Sequence, residues 1–65
     1  MGTVKWFDGD RGYGFIAQET GEELFVHASA IIAGGQAWLQ EGQPVEYEIE
    51  YTPRGLQAVD VVPLA

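Results

Sequence analysis

Tyr13, Phe15, Phe25 and His27 are the side chains of this chain best suited to recognition chemistry. They occupy every second position of two short β-prone runs, Tyr13 to Gln18 and Leu24 to His27. Residues two apart on a strand share a face, so the rings of each run line up on one side. The other side carries Gly14 and Ile16 in the first run and Leu24 and Val26 in the second. If those aliphatic residues fill a core, the rings face outward. A contiguous outward patch of large rings costs solubility and marks a binding surface. The alternation is also compatible with the reverse, in which the rings form the core and a long loop covers the aliphatic side. Outward rings would suit unpaired nucleic-acid bases, since every base has a π-face and each stacked base is worth about 1–3 kcal/mol. His27 can stack or hydrogen-bond, or serve as an ordinary surface histidine.

No other chemistry is legible. The only histidine lies in an aromatic run without a positioned partner, so general acid–base catalysis is not expected. Arg11-Gly12-Tyr13-Gly14-Phe15 is followed by strand-like sequence, not by the helix that a phosphate-binding glycine loop requires. No metal-ligand spacing occurs, and the absence of cysteine excludes disulfides and thiolate ligands. The chain is therefore read as a non-enzyme without metal or cofactor.

Charge points the other way from the rings. Lys5, Arg11 and Arg54 are the only Lys or Arg residues against ten acidic ones, a formal net charge of −7. Nucleic-acid binders usually carry a basic patch, because neutralising phosphates releases counterions. Composition alone argues against such a partner, so any claim for one rests on the rings and on where the cations sit.

The elements that must position these residues are all strands. Val4 to Phe7 is a β-prone run that ends at the turn-rich Asp8-Gly9-Asp10-Arg11-Gly12, and Thr20-Gly21 separates the two aromatic runs. Val45 to Thr52 alternates Val45, Tyr47, Ile49 and Tyr51 with an acidic ladder of Glu46, Glu48 and Glu50. Thr52-Pro53-Arg54-Gly55 is a turn, and a last strand runs from Leu56 to Val62, ended by Pro63. In the long connection Ala28 to Pro44, Ser29 to Ile32 is expected to form one helical turn capped by Ser29. Five short strands in 65 residues point to one closed or nearly closed barrel, a single domain over residues 1–65. With no apolar leader and no apolar run of about 20 residues, a soluble, cytoplasmic chain is expected.

Several segments resemble bacterial cold shock proteins. Lys5-Trp6-Phe7 is similar to the opening of that family, Arg11-Gly12-Tyr13-Gly14-Phe15-Ile16 to its first ribonucleoprotein motif and Leu24-Phe25-Val26-His27 to its second. Ser29-Ala30-Ile31, Glu41-Gly42-Gln43 and Arg54-Gly55-Leu56-Gln57-Ala58 follow in the family's order and spacing. The resemblance implies an all-β, five-stranded antiparallel oligonucleotide-binding (OB-fold) barrel that binds single-stranded RNA or DNA with low sequence selectivity. It also implies an RNA-chaperone-like role. Carried over by position, it implies stacking by Trp6, Tyr13, Phe15, Phe25 and His27, with Lys5, Arg11 and Arg54 near the strand. For Trp6 the resemblance conflicts with alternation, which puts it on the same side as Val4; an outward Trp6 needs a bulge or strong twist in the first strand.

Three departures from the family weaken the expected binding. Ala28 and Gln36 stand where aromatics are usual, and Asp8 where asparagine is frequent. Two lost rings at about 1–3 kcal/mol each lower affinity by one to several orders of magnitude. Trp38 has two readings, swinging over the ring face or packing under the loop with Leu39. With three cations at most, the salt slope is expected to be on the order of −2. The rival reading is a protein-interaction module whose acidic surface favours a basic partner. Cations beside the rings favour nucleic acid and acids around them favour protein. A monomer is expected, with strand exchange through the central connection as the variant.

Overall fold

Turn residues and alternation divide the described residues into five strands: β1 (Gly2–Asp8), β2 (Tyr13–Gln18), β3 (Glu23–His27), β4 (Pro44–Thr52) and β5 (Gly55–Pro63). A computed structural model describes residues 1–32 and 39–64. The readings of Gln36 and Trp38 fall outside the described residues. The strands close into a barrel in the order β1-β2-β3-β5-β4. β1–β2, β2–β3, β4–β5 and β1–β4 pair antiparallel, whereas β3 and β5 run parallel through Phe25↔Gln57 and Val26↔Ala58. The all-β, five-stranded barrel is as expected, with one seam parallel where antiparallel pairing was expected, and the reason is topological. Directions cannot alternate around a closed ring with an odd number of strands, so one seam must be parallel.

The barrel interior holds Val4, Ile16, Leu24, Val26, Leu39, Val45, Ala58 and Val61, all buried. Ile16, Leu24 and Val26 therefore point inward, and the alternative with rings in the core is excluded. Each interior side chain of this size removed from water contributes about 1.5–3 kcal/mol, which a 65-residue chain needs.

Two bulges break the two-residue period. In β1, Val4 faces Ile16 and Trp6 faces Phe15, so Lys5 is the extra residue on its strand. Lys5 and Trp6, though consecutive, are both exposed. In the β4–β5 ladder, Glu46 faces Val62 and Glu48 faces Val59, so the extra residue lies in β5. Asp60 there adopts φ 51°, a left-handed conformation that Asp tolerates better than most side chains. The bulge lets Ala58 and Val61, three apart, both face the interior.

β1 and β2 approach closely at Gly14. A Cβ there would lie 2.7 Å from the Phe7 Cα and closer still to the Trp6 carbonyl oxygen, so only glycine fits. The helical turn after β3 is a 3₁₀ turn over Ala28–Ala30, one residue earlier than expected. Its cap is His27, not Ser29: the Ser29 backbone N–H donates to His27 Nδ1 at 3.1 Å. The apolar face of β4 fades outward, from buried Val45 through half-buried Tyr47 to Tyr51, which is 84% exposed.

Candidate nucleic-acid interface

Three strands deliver one aromatic surface. The Lys5 bulge turns Trp6 outward opposite Phe15, and Phe15 in turn lies opposite Phe25. Directly opposed residues of neighbouring strands share a face, so these three rings form a row across β1, β2 and β3. Trp6 and Phe15 have centroids 5.4 Å apart, and Phe15 and Phe25 meet edge to face at 5.8 Å. Tyr13 closes the group, 5.7 Å from Trp6 and stacked on Phe25 at 5.8 Å. Such pairs are worth about 0.5–1.5 kcal/mol each beyond the area they bury, so the array is preorganised and not a scatter of loose rings.

His27 lies opposite Tyr13 at the end of the array. Its Nδ1 accepts the Ser29 backbone N–H and sits 2.9 Å from the Ser29 Oγ. With Nδ1 used as an acceptor, the neutral ring carries its proton on Nε2. The ring is thereby oriented from behind, and Nε2–H is left for an outside acceptor. The Ala28 N–H donates to the Gly12 carbonyl at 2.8 Å and ties the end of β3 to the start of β2, which holds Tyr13 beside His27.

The row continues past the rings. Phe25 lies opposite Gln57 across the parallel seam, and Gln57 lies opposite Glu50. A cleft of ≈ 410 Å³ follows this seam, lined by Phe15, Glu23, Phe25, Thr52, Arg54, Leu56 and Gln57. Arg54 is thus brought to the aromatic surface by the hairpin it belongs to. The Thr52 hydroxyl fixes that hairpin, donating to the Gly55 carbonyl at 2.9 Å and accepting from the Arg54 N–H at 3.1 Å. Glu23, Leu56 and Gln57 join the site unanticipated. The signal for Gln57 was the parallel register, which alternation alone cannot supply.

The other two cations are already occupied. Lys5 Nζ pairs with Glu23, eighteen positions away on β3. Arg11 Nε stands 3.7 Å from Asp8 Oδ2. The Tyr13 side chain first, and Asp8 after it, raise the Arg11 guanidinium above its ordinary value, so it is a permanent cation. Asp8 also accepts the Asp10 and Arg11 N–H groups through Oδ1 at 3.0 and 3.1 Å, which shapes the β1–β2 loop. The expected separation of cations at the rings from acids on a distant strand is therefore incomplete: Asp8 and Glu23 pair with cations beside the rings, and Glu50 lies in the same cross-strand row through Gln57. Among the described residues no group of acids and histidine could hold a metal, and no helix is long and apolar enough to cross a membrane.

Comparison with known proteins matches residues 1–64 to the 'Cold-shock' DNA-binding domain family. Cold shock protein 1 of Lactiplantibacillus plantarum is 55% identical over 62 residues, covering 95% of this chain and 94% of the relative. The major cold shock protein of Streptococcus pyogenes serotype M1 is 48% identical over 65 residues, covering 100% and 97%. Cold shock protein CspC of Bacillus subtilis is 50% identical over 61 residues, covering 94% and 92%.

Proposed function

The chain belongs to the cold-shock DNA-binding domain family, and on that premise we propose that it binds single-stranded RNA or DNA by stacking unpaired bases. The observation that carries this reading is the continuous array of Trp6, Tyr13, Phe15 and Phe25, four rings linked pairwise at 5.4–5.8 Å. Bases stack on these rings, His27 extends the surface, and Arg54 meets a phosphate from the cleft side. Lys5 and Arg11 contribute only when their carboxylate partners release them. Stacking at about 1–3 kcal/mol per base supplies affinity without many cations, and it reads no particular sequence. Ala28 and the two ion pairs make binding weak. Stacking captures bases only when they are unpaired, so binding favours open over weakly paired RNA, which is a chaperone-like activity. This reading carries a cytoplasmic, monomeric protein with it, and no catalytic step.

Titration with a short single-stranded oligonucleotide in a Trp38→Phe variant tests it, with Trp6 as the fluorophore. Saturable quenching supports stacking on Trp6; unchanged emission at high micromolar oligonucleotide removes the mechanism.

The acids on the ring face favour a second reading, docking of a basic, apolar peptide on the same rings. Competition separates the two, because a peptide site is indifferent to oligonucleotide.

A further inference from the structure

The arrangement of Glu23 and Asp8 does more than dilute the positive charge. Each carboxylate occupies a cation that borders the rings, Lys5 at the β1 bulge and Arg11 at the head of β2. Both cations are exposed, with side chains 51% and 72% accessible, so an incoming phosphate can reach them. A carboxylate and a phosphate offer the same oxygens to an ammonium or guanidinium group. Among the described residues Arg54 has no acidic partner.

We infer that Glu23 and Asp8 are intramolecular stand-ins for phosphate, which make the site select exposed bases and reject polyanions that lack them. The inference rests on the single-strand reading above and names what sets the selectivity of that site. A polyanion without free bases must win Lys5 and Arg11 by exchanging one anion for another, and it gains little. A single strand gains stacking energy as well, which the carboxylates cannot mimic. Exposed ion pairs of this kind shift an equilibrium by up to about fivefold. That is enough to bias selection and too little to abolish binding.

The salt slope carries the signature. If only Arg54 neutralises a phosphate without first giving up a carboxylate, the slope is about −0.7, shallower than three free cations give. Each cation released from its acid steepens the slope by about 0.7.

Glu23→Gln and Asp8→Asn remove charge while keeping an oxygen acceptor, and Asp8→Asn retains the acceptor for the loop N–H groups. The test measures binding of a single-stranded oligonucleotide at several salt concentrations, and competition by inorganic polyphosphate, for the parent chain and both variants. Each substitution is expected to tighten oligonucleotide binding two- to fivefold, steepen the slope and make polyphosphate a better competitor. In the Glu23→Gln chain, a further Lys5→Ala should cancel the gain. If the parent chain quenches Trp6 on binding but neither variant changes affinity, slope or competition, the charge filter is wrong while stacking stands. If the parent chain does not bind and a chain carrying both Glu23→Gln and Asp8→Asn does, the carboxylates block the site outright, and a filter of a few-fold is overturned. If none binds, both readings fall.

Discussion

The two bulges of this barrel break the same rule for opposite ends. In β1 the extra residue is Lys5, and it releases the next side chain, Trp6, from the interior to the surface. In β5 the extra residue lies at Asp60, and it keeps Ala58 and Val61 both inside where strict alternation would expel one. The first bulge completes the aromatic surface proposed to bind bases, and the second completes a core. The halves they belong to differ in the same way. β1 to β3 spend exposed area on preorganised rings, whereas β4 exposes the carboxylates Glu46, Glu48 and Glu50. A bulge is thus a local device whose meaning depends on which side chain it redirects.

The largest effect is expected at Gly14, where β2 lies against the β1 backbone. Gly14→Ala forces a Cβ against the β1 backbone, which cannot yield as a side chain would. A loss of about 3 kcal/mol is expected, most of the stability of so small a domain, and urea denaturation reads it. Next come Phe15→Ala and Phe25→Ala, each expected to weaken oligonucleotide binding by about 1–3 kcal/mol with the barrel still folded by circular dichroism. The core bulge should show the inverse pattern. Asp60→Gly relieves φ 51° and should stabilise by up to about 1 kcal/mol in thermal unfolding, with oligonucleotide affinity unchanged. A change in affinity there would show that the halves are coupled.

The smallest effect is alkaline. Burial first, and the charge of Glu19 second, raise the Tyr47 phenol above its ordinary value, and its hydroxyl donates to Gln18 Oε1 at 3.1 Å. The folded state thus favours the neutral phenol. That stabilisation is complete below the ordinary tyrosine range near pH ~10 and is lost as pH rises through the higher folded value. Tyr47→Phe should flatten that part of the loss in a pH series of unfolding curves.

What was legible in the sequence follows from the range of each interaction. Alternation is local, so the division of Ile16, Leu24 and Val26 from Tyr13, Phe15 and Phe25 onto opposite faces could be read from two short runs, but which face is the core is decided only by barrel closure. A bulge leaves no mark in residue type at Lys5, so the outward Trp6 came from resemblance and not from pattern. The parallel β3–β5 seam follows from closing five strands, a property of the ring and not of any segment. Ser29 looked like the better cap because serine is a preferred capping residue, but the turn starts at Ala28, and the His27 Nδ1 takes the N–H of Ser29 itself. The Lys5–Glu23 pair joins residues eighteen apart and needs the three-dimensional register to be seen at all.

The most direct test of the central claim compares two oligomers of equal length and phosphate count, one with bases and one abasic, on the Trp38→Phe chain. If the rings carry recognition, the oligomer with bases quenches Trp6 saturably, and the abasic one neither quenches nor competes until its concentration is at least tenfold higher. Equal binding of the two would assign recognition to the phosphates and contradict the stacking account.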